Sequence, residues 1–143
     1  MRLQKASRYA LYAATELARN PDRQLPAAEI AAIYDISLNH LAKILRDLGR
    51  AGLVEAVRGV GGGYRFIANP KRTSLYDIIE LFEETAGEIS NSGLEGGKTQ
   101  VGQALIGAKY EIDLTTKATL RFILLSPFLR GGAVASIHSR RAI

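Results

Sequence analysis

Ser37, Asn39, His40, Lys43 and Arg46 fall within ten positions, interleaved with Leu38, Leu41, Ile44, Leu45 and Leu48. At helical spacing the leucines and isoleucine make one buried face, and the polar residues, with Asp47, turn outward. Their chemistry suits the edges of nucleic-acid bases. An Asn amide can pair with an adenine edge, a Lys ammonium can reach guanine or phosphate, and Ser and His can donate to either. The same residues on their own also describe an ordinary solvated helix face, so the neighbouring segment decides.

That segment is a glycine run between two basic residues. Arg58 and Arg65 bracket Gly59-Val60-Gly61-Gly62-Gly63. Gly59, Gly61, Gly62 and Gly63 leave a hairpin tip with little side chain to hold it off a phosphate backbone, where one or two glycines would suffice for a plain turn. An Arg at the base of such a wing can enter a minor groove, where negative potential concentrates. Lys5, Arg8 and Tyr9, near the start of the chain, complete the candidate DNA-facing set.

Other chemistry is poorly supplied. The 143 residues contain no cysteine, which removes disulfides, zinc-thiolate sites, iron–sulfur ligation and a cysteine nucleophile. Only His40 and His138 exist, far apart and without a Ser or Asp partner, so neither an enzyme nor a metal site is expected. Gly93-Leu94-Glu95-Gly96-Gly97-Lys98-Thr99 approaches a phosphate loop, but Ser92 stands where its first Gly is needed. The wing run fails the dinucleotide fingerprint because Tyr64 replaces the last Gly. Glu80, Glu83, Glu84 and Glu88 have helical spacing and are expected to form a solvated face.

The elements that must position these groups follow from periodicity. Leu3 to Ala18 is helical and stops at Asn20-Pro21-Asp22; Pro26 opens a short second helix through Ala28, Ile30, Ala31 and Ile33. Ser37 caps a third helix running to about Arg50. The period then alternates, predicting strands over 53–58 and 64–68. Ser74 and Asp77 make a capping box for a fourth helix. Residues 85–100 read as a flexible loop, and a long helix follows to about residue 126. Leu105, Ala108, Ile112, Thr115, Thr119 and Phe122 recur along it at three- and four-residue steps, a stripe suited to dimerisation. The remainder, 127–143, reads as a mobile basic tail. The predicted class is mainly α with a small β-hairpin: a winged helix-turn-helix over 1–84 plus a C-terminal dimerisation helix.

Charge agrees with that division. Residues 1–72 hold twelve Lys/Arg and six Asp/Glu, whereas 73–143 hold seven and eight. A basic amino-terminal half is the footprint of a phosphate-binding surface. No apolar run approaches the ~18 residues of a membrane span, and the start lacks the apolar block of a signal peptide, so the cytoplasm is the expected location.

Arg8-Tyr9-Ala10-Leu11, Ala28-Glu29-Ile30-Ala31, Ile36-Ser37, His40-Leu41, Gly52-Leu53-Val54 and Val57-Arg58-Gly59-Val60-Gly61-Gly62-Gly63-Tyr64 together resemble the Rrf2 family of bacterial transcription regulators. The resemblance is close over about 1–84 and looser along the long helix. It implies a homodimer with cross-packed long helices and recognition helices reading a roughly palindromic operator. Many members sense iron, nitric oxide or redox state through an iron–sulfur cluster held by three cysteines. The matching region, Glu88–Gln100, offers Ser90, Ser92, Thr99 and Gln100; Gln103 matches a histidine ligand, and Arg8 stands where other members offer an acidic one. No cofactor is therefore expected. The expected function is sequence-specific regulation of double-stranded DNA, most simply repression, gated by a small molecule or a protein partner. The alternative is a protein-interaction module of the same fold, against which Lys43, Arg58 and Arg65 argue.

Overall fold

The computed structural model describes residues 3–83 and 98–130. Helix α1 spans Lys5–Arg19, α2 Ala27–Tyr34 and α3 Leu38–Arg50; strands β1 (Val54–Val57) and β2 (Gly63–Phe66) follow, then α4 (Leu75–Ile79) and α5 (Gln100–Phe122). A 3-10 turn over Ser126–Leu129 comes last.

Helix α1 is the hub. Ala10, Ala13, Ala14 and Ala18 line its inner face beside Leu17, all buried. These short side chains let neighbouring backbones approach closely, and α1 packs on α2, α3, α4, β2 and the 3-10 turn. Leu41, Ile44, Leu45 and Leu48 of α3 complete the core with Ile30, Val54, Phe66 and Ile78. Full burial of each large aliphatic side chain contributes roughly 1.5–3 kcal/mol. Leu38, expected on this buried face, is exposed. It is the first residue of α3, half a turn before the helix meets α1. Ile33 and Leu81 also face outward.

The turn between α2 and α3 depends on Asp35, whose φ of 53° is left-handed. Asp tolerates that region better than most residues. The Asp35 N–H makes the last helical bond to the Ala31 carbonyl, and the left-handed turn lets the Ile36 N–H donate to the same oxygen at 2.9 Å. Ile36 then plugs into the core. Gly52, with φ 78°, turns the chain from α3 into β1.

Strands β1 and β2 pair antiparallel, with Val54 opposite Phe66 and Glu55 opposite Arg65. Leu25 adds a third rung: its N–H donates to the Tyr64 carbonyl at 2.9 Å, and the Tyr64 N–H returns to Leu25 at 2.8 Å. The wing is thereby tied to the α1–α2 connection.

The long helix ends earlier than its sequence pattern suggests. After Phe122 the backbone extends and pairs with the start of α4. The Leu75 N–H donates to Ile123 O, and the Leu125 N–H to Thr73 O, both at 2.8 Å. Leu125 is wholly buried in the same core as α1 and α3, with Leu129 packed against it. Residues 123–130 thus belong to the winged head, whereas the expected division placed 127 onward in a mobile tail; 131–143 lie outside the described residues. So does most of the expected 85–100 loop. Among the described residues no helix is long and apolar enough to cross a membrane.

Candidate nucleic-acid interface

Helix α3 presents the expected polar face. Ser37, Asn39, Lys43 and Arg46 are exposed, and His40 is half-buried. Ser37 is the N-cap, its Oγ accepting the His40 N–H at 3.4 Å. The cap leaves the side chains of the first turn, where a recognition helix meets base edges, projecting away from the core.

Helix α1 joins that face through one aromatic contact. The Tyr9 ring meets the His40 imidazole edge-on, with centroids 5.3 Å apart. The Lys5 ammonium lies 5.8 Å from the Tyr9 ring centre. Lys5, Tyr9 and His40 therefore form one continuous run from the start of α1 to the start of α3, with Arg8 exposed beside it. Periodicity alone could not place Tyr9 against His40, because the contact depends on how two helices cross.

The wing is more constrained than a run of flexible glycines. Gly59 and Gly61 have φ of 103° and 75°, conformations that L side chains rarely adopt. Gly63 is not at the tip but in β2, where a Cβ would come within 2.5 Å of the Leu25 carbonyl carbon. Its lack of a side chain is what admits the Leu25 rung. Val60 stands fully exposed at the apex, and Arg58 is exposed with no ion pair among the described residues.

Arg65 is differently placed. Its guanidinium is paired with Glu55 directly across the hairpin. Had the register been drawn out from the glycine turn, this pairing was readable in the sequence. A second outlying cluster lies at the other end of α1. Tyr12 and Tyr34 stack with centroids 4.7 Å apart, and the Tyr34 hydroxyl donates to Glu16 at 2.5 Å. Burial, then the neighbouring Glu16 carboxylate, pushes the Tyr34 phenol above its ordinary value.

Glu83 also departs from expectation. It is not part of a solvated acidic face, because its carboxylate accepts hydrogen bonds from the start of α1. Glu84 and Glu88 lie outside the described residues. The stripe on α5 is present as a surface: Leu105, Ala108, Ile112, Thr115 and Phe122 are exposed, and Thr119 is half-buried. Thr115 and Thr119 donate their hydroxyls to Glu111 and Thr115 carbonyls of their own helix, at 3.0 and 2.9 Å.

A capped recognition helix, a hairpin wing and a basic rim over one compact core define a winged helix-turn-helix regulator. The chain belongs to the Rrf2 family, described as iron-dependent transcriptional regulators, whose pattern it matches over residues 3–119. It is 50% identical to BadM of Rhodopseudomonas palustris, designated an HTH-type transcriptional regulator, over 130 residues. That match covers 91% of this chain and 82% of BadM. It is 31% identical to the HTH-type regulator IscR of Vibrio vulnificus, covering all of this chain and 86% of IscR. Among solved structures, CymR, the global cysteine regulator of B. subtilis, superposes with a TM-score of 0.68 at 25% identity. The superposition covers 88% of this chain and 94% of CymR. These relatives are transcriptional regulators and not enzymes.

The family description raises the question of iron. Iron–sulfur clusters are held by thiolates, and this chain has none. Hydroxyl and amide groups such as those of Thr99, Gln100 and Gln103 do not substitute for them. Among the described residues no three His, Asp or Glu side chains converge to hold a metal ion. The donor set does not fit a cluster.

Proposed function

We propose that the protein binds double-stranded DNA as a homodimer and represses transcription by occupying a two-fold operator. Helix α3 enters the major groove, where Asn39, Lys43 and Arg46 meet base edges and phosphates. The wing follows the backbone into the adjacent minor groove with Arg58 leading. Arg65 contributes through the wing's rigidity, since Glu55 already holds it.

The observation that carries this reading is the contact of Tyr9 with His40. It fuses Lys5 and Arg8 of α1 to the recognition helix, so that cations flank the reading side chains on one exposed surface. Homodimerisation is supported by α5, a 23-residue helix with no buried side chain and an exposed apolar stripe. Thr115 and Thr119, with hydroxyls already bonded within the helix, can meet a partner helix through their methyl groups. A DNA-binding regulator akin to bacterial proteins acts in the cytoplasm.

Fluorescence anisotropy with an operator selected from random duplexes tests the proposal. Affinity is expected to fall by orders of magnitude between about 50 and 200 mM salt, as released counterions require. Equal affinity at both concentrations sinks it. Arg58→Ala is expected to lower the salt slope by about one while leaving the fold intact.

A further inference from the structure

Helix α1 begins without the groups that usually close a helix start. Its N-cap, Gln4, makes no capping hydrogen bond through its side chain, and its first turn holds no acidic residue. Lys5 and Arg8 stand there instead, at the positive end of the helix dipole. Helix α4 shows the ordinary solution. Ser74 Oγ accepts the Asp77 N–H at 3.1 Å, and the Asp77 carboxylate accepts the Ser74 N–H at 2.8 Å.

In α1 the third helical position, where such a box keeps its acceptor, is Ser7. The acceptor comes from far along the chain. Glu83 Oε1 takes the Gln4 N–H at 2.7 Å and the Ser7 hydroxyl at 2.6 Å. Ser7 is entirely buried, so without Glu83 its hydroxyl loses that partner inside the core. One carboxylate thus closes the N-cap amide, satisfies a buried hydroxyl and places negative charge at the positive end of the helix dipole.

We propose that Glu83 is a positioning residue for DNA binding, completing the capping box of α1 from just beyond α4. It holds the turn that carries Lys5, Arg8 and Tyr9, and through Tyr9 it steadies His40 at the start of the recognition helix. This inference rests on the DNA-binding reading above. Glu83 itself touches no DNA. Its removal lets the first turn of α1 fray, and the phosphate contacts of Lys5 and Arg8 are lost together.

The test uses the full chain, the selected operator duplex and a salt series, at a temperature where circular dichroism shows each variant folded. Glu83→Ala is expected to weaken binding about tenfold and to make the salt slope shallower by about one to two. Glu83→Gln, whose amide oxygen can accept both hydrogen bonds, is expected to keep the wild-type slope. In a Lys5→Ala/Arg8→Ala background, Glu83→Ala is expected to weaken binding clearly less than in the wild type, leaving only the part that runs through Tyr9. If Glu83→Ala does not fold, Glu83→Asp, which withdraws the acceptor by one methylene, is expected to show the same shallower slope. A wild-type slope in the variant that folds overturns the proposal, as does equal weakening in both backgrounds. Wild-type protein that binds without salt dependence removes the DNA reading instead, and this one with it.

Discussion

Leu17, Leu41, Leu45 and Leu48 of the winged head have no exposed surface, whereas α5 runs 23 residues without burying one side chain. Both regions are helical and both carry leucine and isoleucine at helical spacing. In the head, those residues meet others from several elements, and the alanine face of α1 brings the backbones close. In α5 none of them is buried, and among the described residues its anchoring contacts lie at its end. There Arg121 lies over the Tyr76 ring at 4.6 Å, and residues 123–125 pair with 73–75. The same type of residue therefore stabilises the fold in one region and lies exposed in the other, where the proposed dimer would use it.

Substitution should separate these roles. The largest loss is expected for Leu45→Ala, about 2–5 kcal/mol by denaturant unfolding, from lost burial and the cavity left behind. Leu105→Ala, the same change on α5, is expected to show its cost only as a concentration-dependent melting temperature. Similar, concentration-independent losses at both positions would erase the distinction. Next in size, Leu105→Asp with Ile112→Asp is expected to give a folded monomer by sedimentation, with greatly reduced operator affinity. A dimer that survives two buried charges would move the interface elsewhere.

Glycines extend the contrast. Gly63→Ala is expected to cost about 1–3 kcal/mol, because its Cβ would overlap the Leu25 backbone and force the wing away. Gly107→Ala, in α5, meets nothing within 4 Å and is expected to stabilise by about 0.5–1 kcal/mol. Thermal melts of the two variants should move in opposite directions.

An effect of similar, small size belongs to the polar seam of the head. Tyr34→Phe is expected to cost about 1 kcal/mol near neutral pH through loss of the hydrogen bond to Glu16. The folded phenol has its pKa raised, so the protonated form is favoured in the fold. That contribution is fully present below the unfolded value of about 10 and fades as pH rises through the folded one. The gap between wild type and Tyr34→Phe should therefore narrow in strongly alkaline solution; a constant gap would remove Glu16–Tyr34 as its source.

Much of this architecture follows from local pattern. Helical spacing of Leu41, Ile44, Leu45 and Leu48, the Ser37 cap and the Ser74–Asp77 box each involve residues within a few turns, where chain geometry dictates which side chains can meet. The glycine turn and alternating strands likewise specify a hairpin, and its register already opposes Glu55 to Arg65. Local pattern misplaced Leu38 because a helix's first residue can carry the right period and still lie beyond its packing partner. It also carried α5 past Phe122, since the pairing of Ile123 and Leu125 with Thr73 and Leu75 joins segments about fifty positions apart.

The amino-acid sequence alone determined the polar face of α3, the wing and the absence of thiolates, because composition and short-range spacing are enough for these. Only the tertiary structure decided that Tyr9 bears on His40, that Gly63 makes room for Leu25, and that Glu83 closes α1. Each of those is a contact between elements remote in sequence. Its existence depends on how the helices cross and where the chain returns, and no periodicity within a single segment encodes that.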